Sequence, residues 1–171
     1  KGVDVLLQAI NILKDKPELK NISFVIMGVD FGFEKEMFQL IDELGVKEKV
    51  VVIRNPSRDD VIAAYSQSEF LVLPSRWELS PLTPLEGFAF KKPVISTNVH
   101  GVPSTITDKE NGILVPNEDF HKLANAILEL ITDKPKCERY GSSGYNLVQT
   151  ECNSKSMVKK TLKLYEQIVN K

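Results

Sequence analysis

The sequence predicts an α/β domain, a parallel sheet sandwiched between layers of helix. Three observations predict it. Short runs of Val, Ile, Leu, Phe and Met recur along the chain, as in Phe24-Val-Ile-Met27, Val50-Val-Val-Ile53 and Phe70-Leu-Val-Leu73. These runs lack apolar–polar alternation, which marks strands covered on both faces. Stretches with apolar residues at helical spacing lie between them, and such crossovers are what parallel strands need.

Taken in order, residues 3, 6, 7, 10 and 13 form a helical apolar stripe, with Pro17 just beyond its end. Ser23 to Met27 reads as a buried strand stopped by Gly28. Met37, Leu40, Ile41 and Leu44 line one face of a helix from Glu34, which Gly45 ends. Val50 to Ile53 is a second buried strand. Ser57 is suited to cap a helix from Arg58 to Tyr65, with Asp59 and Asp60 in its first turn. Phe70 to Leu73 is a third strand, Leu85 to Phe90 a short helix, Val94 to Ser96 a fourth strand and Ile113 to Val115 a fifth. From about 119 to 170 the chain turns helical. A strong stripe runs from Phe120 to Ile131, a weaker one over 135–148 broken near Gly141 and Gly144, and a last one from Met157 to Ile168. The right-handed crossover rule makes a doubly wound, Rossmann-like layout the default for this alternation.

The composition is that of a globular domain, 42% hydrophobic and 26% charged over 171 residues. With 22 basic against 23 acidic residues, the net charge of -1 argues against nucleic acid as a partner. No apolar run is long enough to span a bilayer, so membrane contact is expected only through a larger parent protein. Cys137 and Cys152 form no CxxC pair and read as reduced thiols, which fits a cytoplasmic location, the inner face of the membrane included. Lys1-Gly2-Val3 runs straight into a helical pattern, and a longer natural chain preceding Lys1 is expected.

Ligands of open parallel sheets bind past the carboxyl ends of the strands. Here that means the loops Gly28–Gly32, Asn55–Ser57, Pro74–Thr83 and Thr97–Pro103, with His100 in the last. In the third loop, Thr83 suits a helix N-cap, Pro84 the first helical position and Glu86 the third position of a capping box. Two readings of Glu86 stand: a carboxylate satisfying a backbone N–H, or one facing the crevice and accepting from the vicinal hydroxyls of a ribose. The free N–H groups of Leu82, Thr83 and Leu85 suit a phosphate or water. Glu78, on the irregular side of Pro81 and Pro84, is a crevice carboxylate, a solvated charge or a partner for Arg76.

Glu78 and Glu86 are spaced Glu-x7-Glu. They follow Leu73-Pro74-Ser75 and precede Lys92-Pro93-Val94-Ile95-Ser96-Thr97, Gly101-Val102-Pro103 and Asn111-Gly112-Ile113-Leu114-Val115-Pro116. This pattern, with the opening Lys1-Gly2, resembles the C-terminal, donor-binding domain of GT-B glycosyltransferases of family 4, a group that includes glycogen synthase-like and mannosyltransferase-like enzymes. The resemblance covers essentially the whole chain. It implies one nucleotide-sugar-binding domain over 1–171, without the N-terminal acceptor domain and without the first strand, which would precede Lys1.

The resemblance also implies roles. Glu86 matches the glutamate that holds the ribose hydroxyls, and Glu78 the catalytic-site glutamate beside the transferred sugar and its departing phosphate. Ser80, Pro81, Leu82 and Thr83 match the segment whose amides hold the diphosphate. Lys1 matches a lysine that neutralises it. Arg54, Asn55 and Pro56 border the base, and Gly28 opens the neighbouring loop. Three features depart from the family's usual pattern: the absent Arg before Lys1, Ser80-Pro81 in place of Phe-Gly, and Ser104 in place of Glu.

The implied reaction is a retaining transfer of a sugar, of the hexosyl type, from a nucleotide-diphosphate-sugar to the hydroxyl of a glycan, lipid or other acceptor bound by the missing domain. No Asp-x-Asp motif is present, so the expectation is a metal-independent site with no cofactor. Asp59-Asp60 reads as dipole compensation. The isolated chain is expected to be inactive. The alternative is a non-catalytic nucleotide-binding or interaction module of the same fold.

Overall fold

All five strands are present and every pairing is parallel. The computed structural model describes residues 1–170, with the order α1 (Val3–Leu13), β1 (Phe24–Gly28), α2 (Glu34–Leu44), β2 (Val50–Arg54), α3 (Arg58–Gln67), β3 (Leu71–Leu73), α4 (Thr83–Ala89), β4 (Val94–Thr97), β5 (Gly112–Val115), α5 (Phe120–Thr132), α6 (Lys134–Thr150) and α7 (Ser154–Val169).

The strands divide into two sheets, β1–β2 and β3–β4–β5. The first runs in register from Phe24 beside Val50 to Gly28 beside Arg54. In the second, β4 is central, with Val94 between Leu71 and Gly112. Among the described residues, one edge of β1 and one edge of β3 have no strand partner. The start of α1 lies beside both: Gly2 abuts Pro74 just after β3, and Lys1–Asp4 line a cleft with the end of β1.

Helices cover both faces of the three-stranded sheet. On one face α1 packs against α5, burying Leu7, Ile10, Leu13, Leu123 and Ile127. Each such side chain contributes about 1.5–3 kcal/mol by leaving water. On the other face α4 and α6 enclose Phe88 with Val94, Val102 and Ile106. The expectation of two covered faces fails for β1 and β2. Phe24, Ile26, Val50 and Val52 pack into the core, but Val25 and Val51, paired across the ladder, are 50% and 47% exposed. An unalternating apolar run cannot reveal that one of its faces is bare.

Two helix readings also change. Helix α6 is unbroken because Gly141 and Gly144 face the body of the domain, where Gly141 lies against the Lys91 carbonyl and Gly144 against the Phe88 ring. Helix α7 buries none of its side chains and leaves Met157, Leu162, Tyr165 and Ile168 in solvent. Among the described residues no helix is long and apolar enough to cross a membrane. Cys137 is buried, which pushes its thiol up to about 11, and Cys152 is exposed; both are free.

Candidate active site

Gly2 determines where Lys1 lies. Its φ of +72° is the left-handed region that favours glycine, and a Cβ there would sit 1.9 Å from the Pro74 carbonyl oxygen. That close approach carries Lys1 to the β3–α4 loop, where its ammonium pairs with Glu78 Oε1. The Ser75 hydroxyl donates to the same oxygen at 2.8 Å. The Glu78 side chain is 11% exposed, whereas that of Lys1 is 68% exposed. Burial alone would raise the Glu78 carboxyl; the Lys1 ammonium and the Ser75 hydroxyl together outweigh it and hold the carboxyl below its usual range.

The loop is fastened from beneath. Thr97 donates to the Ser75 carbonyl, Ser96 Oγ donates to the Leu73 carbonyl at 2.8 Å, and the Gly101 N–H donates to the Glu78 carbonyl at 3.0 Å. The 97–103 loop thus supports the Glu78 backbone. Its His100 stands edge-on to Trp77 with ring centres 5.8 Å apart, and both side chains are exposed.

Arg76 does not pair with Glu78, contrary to one sequence reading. Its guanidinium grips Asp4 through two bonds of 2.8 and 2.6 Å and donates from Nε to Glu118 at 2.7 Å. These contacts join the start of α1, the β3–α4 loop and the approach to α5. Accepting from Arg76 lowers the Asp4 carboxyl, and donating to Asp4 and Glu118 raises the Arg76 guanidinium further.

A cleft of about 680 Å³ lies beside this cluster, and Lys1, Gly28, Arg54, Asn55 and Arg76 line it. Gly28 faces Arg54 across the β1–β2 ladder, and its carbonyl accepts from Asn55 N–H at 2.9 Å. Arg54 pairs with Glu34 and lies 5.1 Å above the Phe38 ring, so its charge is already engaged. Sequence reasoning missed Asp30. Its Oδ1 accepts from the N–H groups of Gly32, Phe33 and Glu34 at 2.8, 3.0 and 3.0 Å, and these bonds lower its carboxyl. The start of α2 therefore has its own anion. The signal was legible as an Asp four residues before Glu34.

Glu86 stands outside that cleft, and its capping-box reading fails. Helix α4 begins with Thr83 already helical, preceded by Leu82, and no side chain caps it. The Glu86 carboxylate turns instead to α3. Oε2 accepts from the Tyr65 hydroxyl at 2.8 Å, and Oε1 from Arg58 Nη1 at 3.1 Å. The side chain is 35% exposed, so it is not interior. Without a cap, Thr83 and Leu85 keep N–H groups that have no intrahelical acceptor. Ser80 and Leu82 are exposed, Thr83 is half-buried and Pro81 is buried. Pro56 is half-buried just before Ser57, whose hydroxyl and Asp60 form the capping box of α3.

The structure thus brings Lys1 to Glu78, and Lys1 also to Gly28, Arg54 and Asn55, while Glu86 keeps separate company. Among the described residues no group of three or more His, Cys, Asp or Glu side chains gathers as a metal site would.

Residues 1–147 match the model of a family described as Glycosyl transferases group 1. Over 147 residues the chain is 31% identical to the uncharacterized glycosyltransferase MJ1178 of Methanocaldococcus jannaschii, an overlap of 84% of this chain and 38% of that protein. Among solved structures, it resembles the C-terminal domain of LpcC, a glycosyl transferase group 1 family protein of Francisella tularensis. The TM-score is 0.80 with 28% identity, covering 90% of this chain and 80% of that one. The Anabaena protein HepE, solved with UDP-glucose, matches at TM-score 0.85 and 20% identity, over 98% of this chain and 45% of that one. At that identity the likeness speaks for the fold alone. The chain spans well under half the length of the curated relative.

Proposed function

The chain belongs to the glycosyl transferases of group 1, and on that premise we propose that it is the donor-binding part of a longer enzyme. It holds a nucleotide-diphosphate-sugar while a hexosyl group passes, with retention, to an acceptor hydroxyl bound elsewhere in that enzyme. The unpartnered edges of β1 and β3, both beside Lys1, support an additional parallel strand entering from before Lys1.

The observation that carries the reading is the meeting of Lys1 and Glu78 across 77 residues at the carboxyl end of β3. Breaking a glycosidic bond builds negative charge on the leaving diphosphate and positive character at the anomeric carbon. Groups fixed where those charges develop lower the barrier more than they tighten ground-state binding. Lys1, largely exposed, turns its ammonium to the incoming diphosphate. The N–H groups of Thr83 and Leu85, with the Ser80–Leu82 segment, supply neutral donors. Glu78, relieved of its counter-ion and held by Ser75, orients sugar hydroxyls or stabilises the positive carbon. Glu86 accepts from the ribose hydroxyls, and Gly28, Arg54, Asn55 and Pro56 border the base. No divalent ion or cofactor has a role in this reading.

HepE's UDP-glucose makes uridine nucleotides the first probes. In calorimetric titrations of this chain with UDP-, GDP- and ADP-glucose, at least one binds, and EDTA leaves its affinity unchanged. Glu86→Ala weakens that binding about tenfold or more, the size of hydrogen bonds to a charged acceptor. Unchanged affinity in Glu86→Ala would refute the ribose role.

A further inference from the structure

We propose that Tyr65 is a positioning residue for Glu86: its hydroxyl anchors one carboxylate oxygen so that the carboxylate presents a free lone pair on each oxygen to a ribose diol, with Arg58 as a displaceable counter-ion. This rests on the ribose role proposed for Glu86.

The geometry starts on α3. Arg58 and Tyr65 are seven residues apart, two helical turns, and share one face. Glu86 and Phe90 are one turn apart on α4 and its end. The two faces meet: Tyr65 lies against the Phe90 ring with centres 5.7 Å apart, and its hydroxyl reaches Glu86 Oε2 at 2.8 Å. Tyr65 is the one buried side chain of α3. A phenol taken out of water needs a hydrogen-bond partner, and Glu86 is that partner. Ring packing fixes the direction of the hydroxyl, and the hydroxyl in turn fixes the carboxylate.

The two donors differ in commitment. Arg58 is 66% exposed and its bond to Oε1 is 3.1 Å long. An exposed ion pair of that kind contributes little and is readily exchanged. Tyr65 is committed: burial, and then its bond to Glu86, push the phenol well above the ordinary tyrosine range, so it stays a donor at any working pH. An ionised carboxylate has about four acceptor positions. Tyr65 occupies one on Oε2 and Arg58 one on Oε1, leaving one on each oxygen, an arrangement suited to two neighbouring hydroxyls. Without the phenol, Arg58 is the remaining donor and draws the carboxylate toward solvent.

The test compares wild type, Tyr65→Phe and Glu86→Gln with UDP, GDP and ADP and with their 2′-deoxy counterparts. Wild type is expected to prefer the ribonucleotide about tenfold, and Tyr65→Phe to lose most of that preference while keeping its affinity for the 2′-deoxy form. Equal losses for both forms, or a preference left intact in Tyr65→Phe, overturn the positioning role. If wild type shows no preference, or Glu86→Gln keeps it, the ribose reading of Glu86 fails and this proposal falls with it. A measurement on wild type alone is independent of variant folding. By NMR the Tyr65 hydroxyl proton stays protected from exchange in both the free and the nucleotide-saturated chain, while the Arg58 side-chain signals shift on saturation. Loss of the Tyr65 protection on binding overturns the proposal.

Discussion

Glu78 feels two opposed influences, and their balance sets a pH dependence. Burial favours the neutral acid; Lys1 and Ser75 favour the carboxylate and prevail, so the folded pKa lies below the ordinary 4.5. The unfolded chain then takes up the proton first as pH falls. The stability from this site is fully present above about 4.5 and is lost as pH drops through the depressed folded value. Urea melts at neutral pH should show Glu78→Gln less stable than wild type, with the gap narrowing at pH 3. A gap of constant size would mean that the carboxylate's charge is not its source. As candidates whose roles are proposals, Lys1, Glu78 and Glu86 were legible in the sequence through the family pattern it resembles. Their partners were not. Lys1 meets Glu78, and Tyr65 and Arg58 meet Glu86, only through the crossovers, at separations of 77, 21 and 28 residues. Local pattern also offered partners that the structure does not show, a backbone cap for Glu86 and Arg76 for Glu78.

Among the elements, α6 shows how packing reverses a local preference. Two glycines within a helix lower its intrinsic stability, and replacing one with alanine in an exposed helix gains about 1 kcal/mol. At Gly141 the added Cβ would lie 1.9 Å from the Lys91 carbonyl oxygen, a backbone atom that cannot swing away. Overpacking of that kind costs about 1–3 kcal/mol. With a backbone clash at the upper end of that range and the propensity gain subtracted, Gly141→Ala should destabilise by about 2 kcal/mol, at roughly 2–4 °C in melting temperature per kcal/mol for a domain of this size. Ser142→Ala, at an exposed position one residue on, should be neutral or slightly stabilising in the same calorimetric scans. The glycines were read as a break because the sequence does not show what a helix lies against. Element identity was otherwise readable, since an apolar stripe at period 3.6 is a property of the segment itself. Coverage was not: Val25 and Val51 have the composition of buried strand residues and stand half in solvent.

For the whole molecule, the two sheets of the described residues set where backbone pairing stops. Backbone ladder bonds connect β1 to β2 and join β3, β4 and β5, and among the described residues none crosses between the two sheets. The two sheets share one hydrophobic core around α1, and the contacts of Lys1 and Gly2 beside Pro74 and of Tyr65 and Arg58 with Glu86 add links between the segments that carry them. Native-state hydrogen exchange should then give lower opening free energies for amides of 24–28 and 50–54 than for those of β4, which is flanked on both sides and fully buried. Equal protection across both sheets would contradict this. In the longer enzyme proposed above, a strand laid between the open edges of β1 and β3 would stitch the two ladders into one sheet, and the amides of 24–28 would then gain protection that this chain alone does not give them.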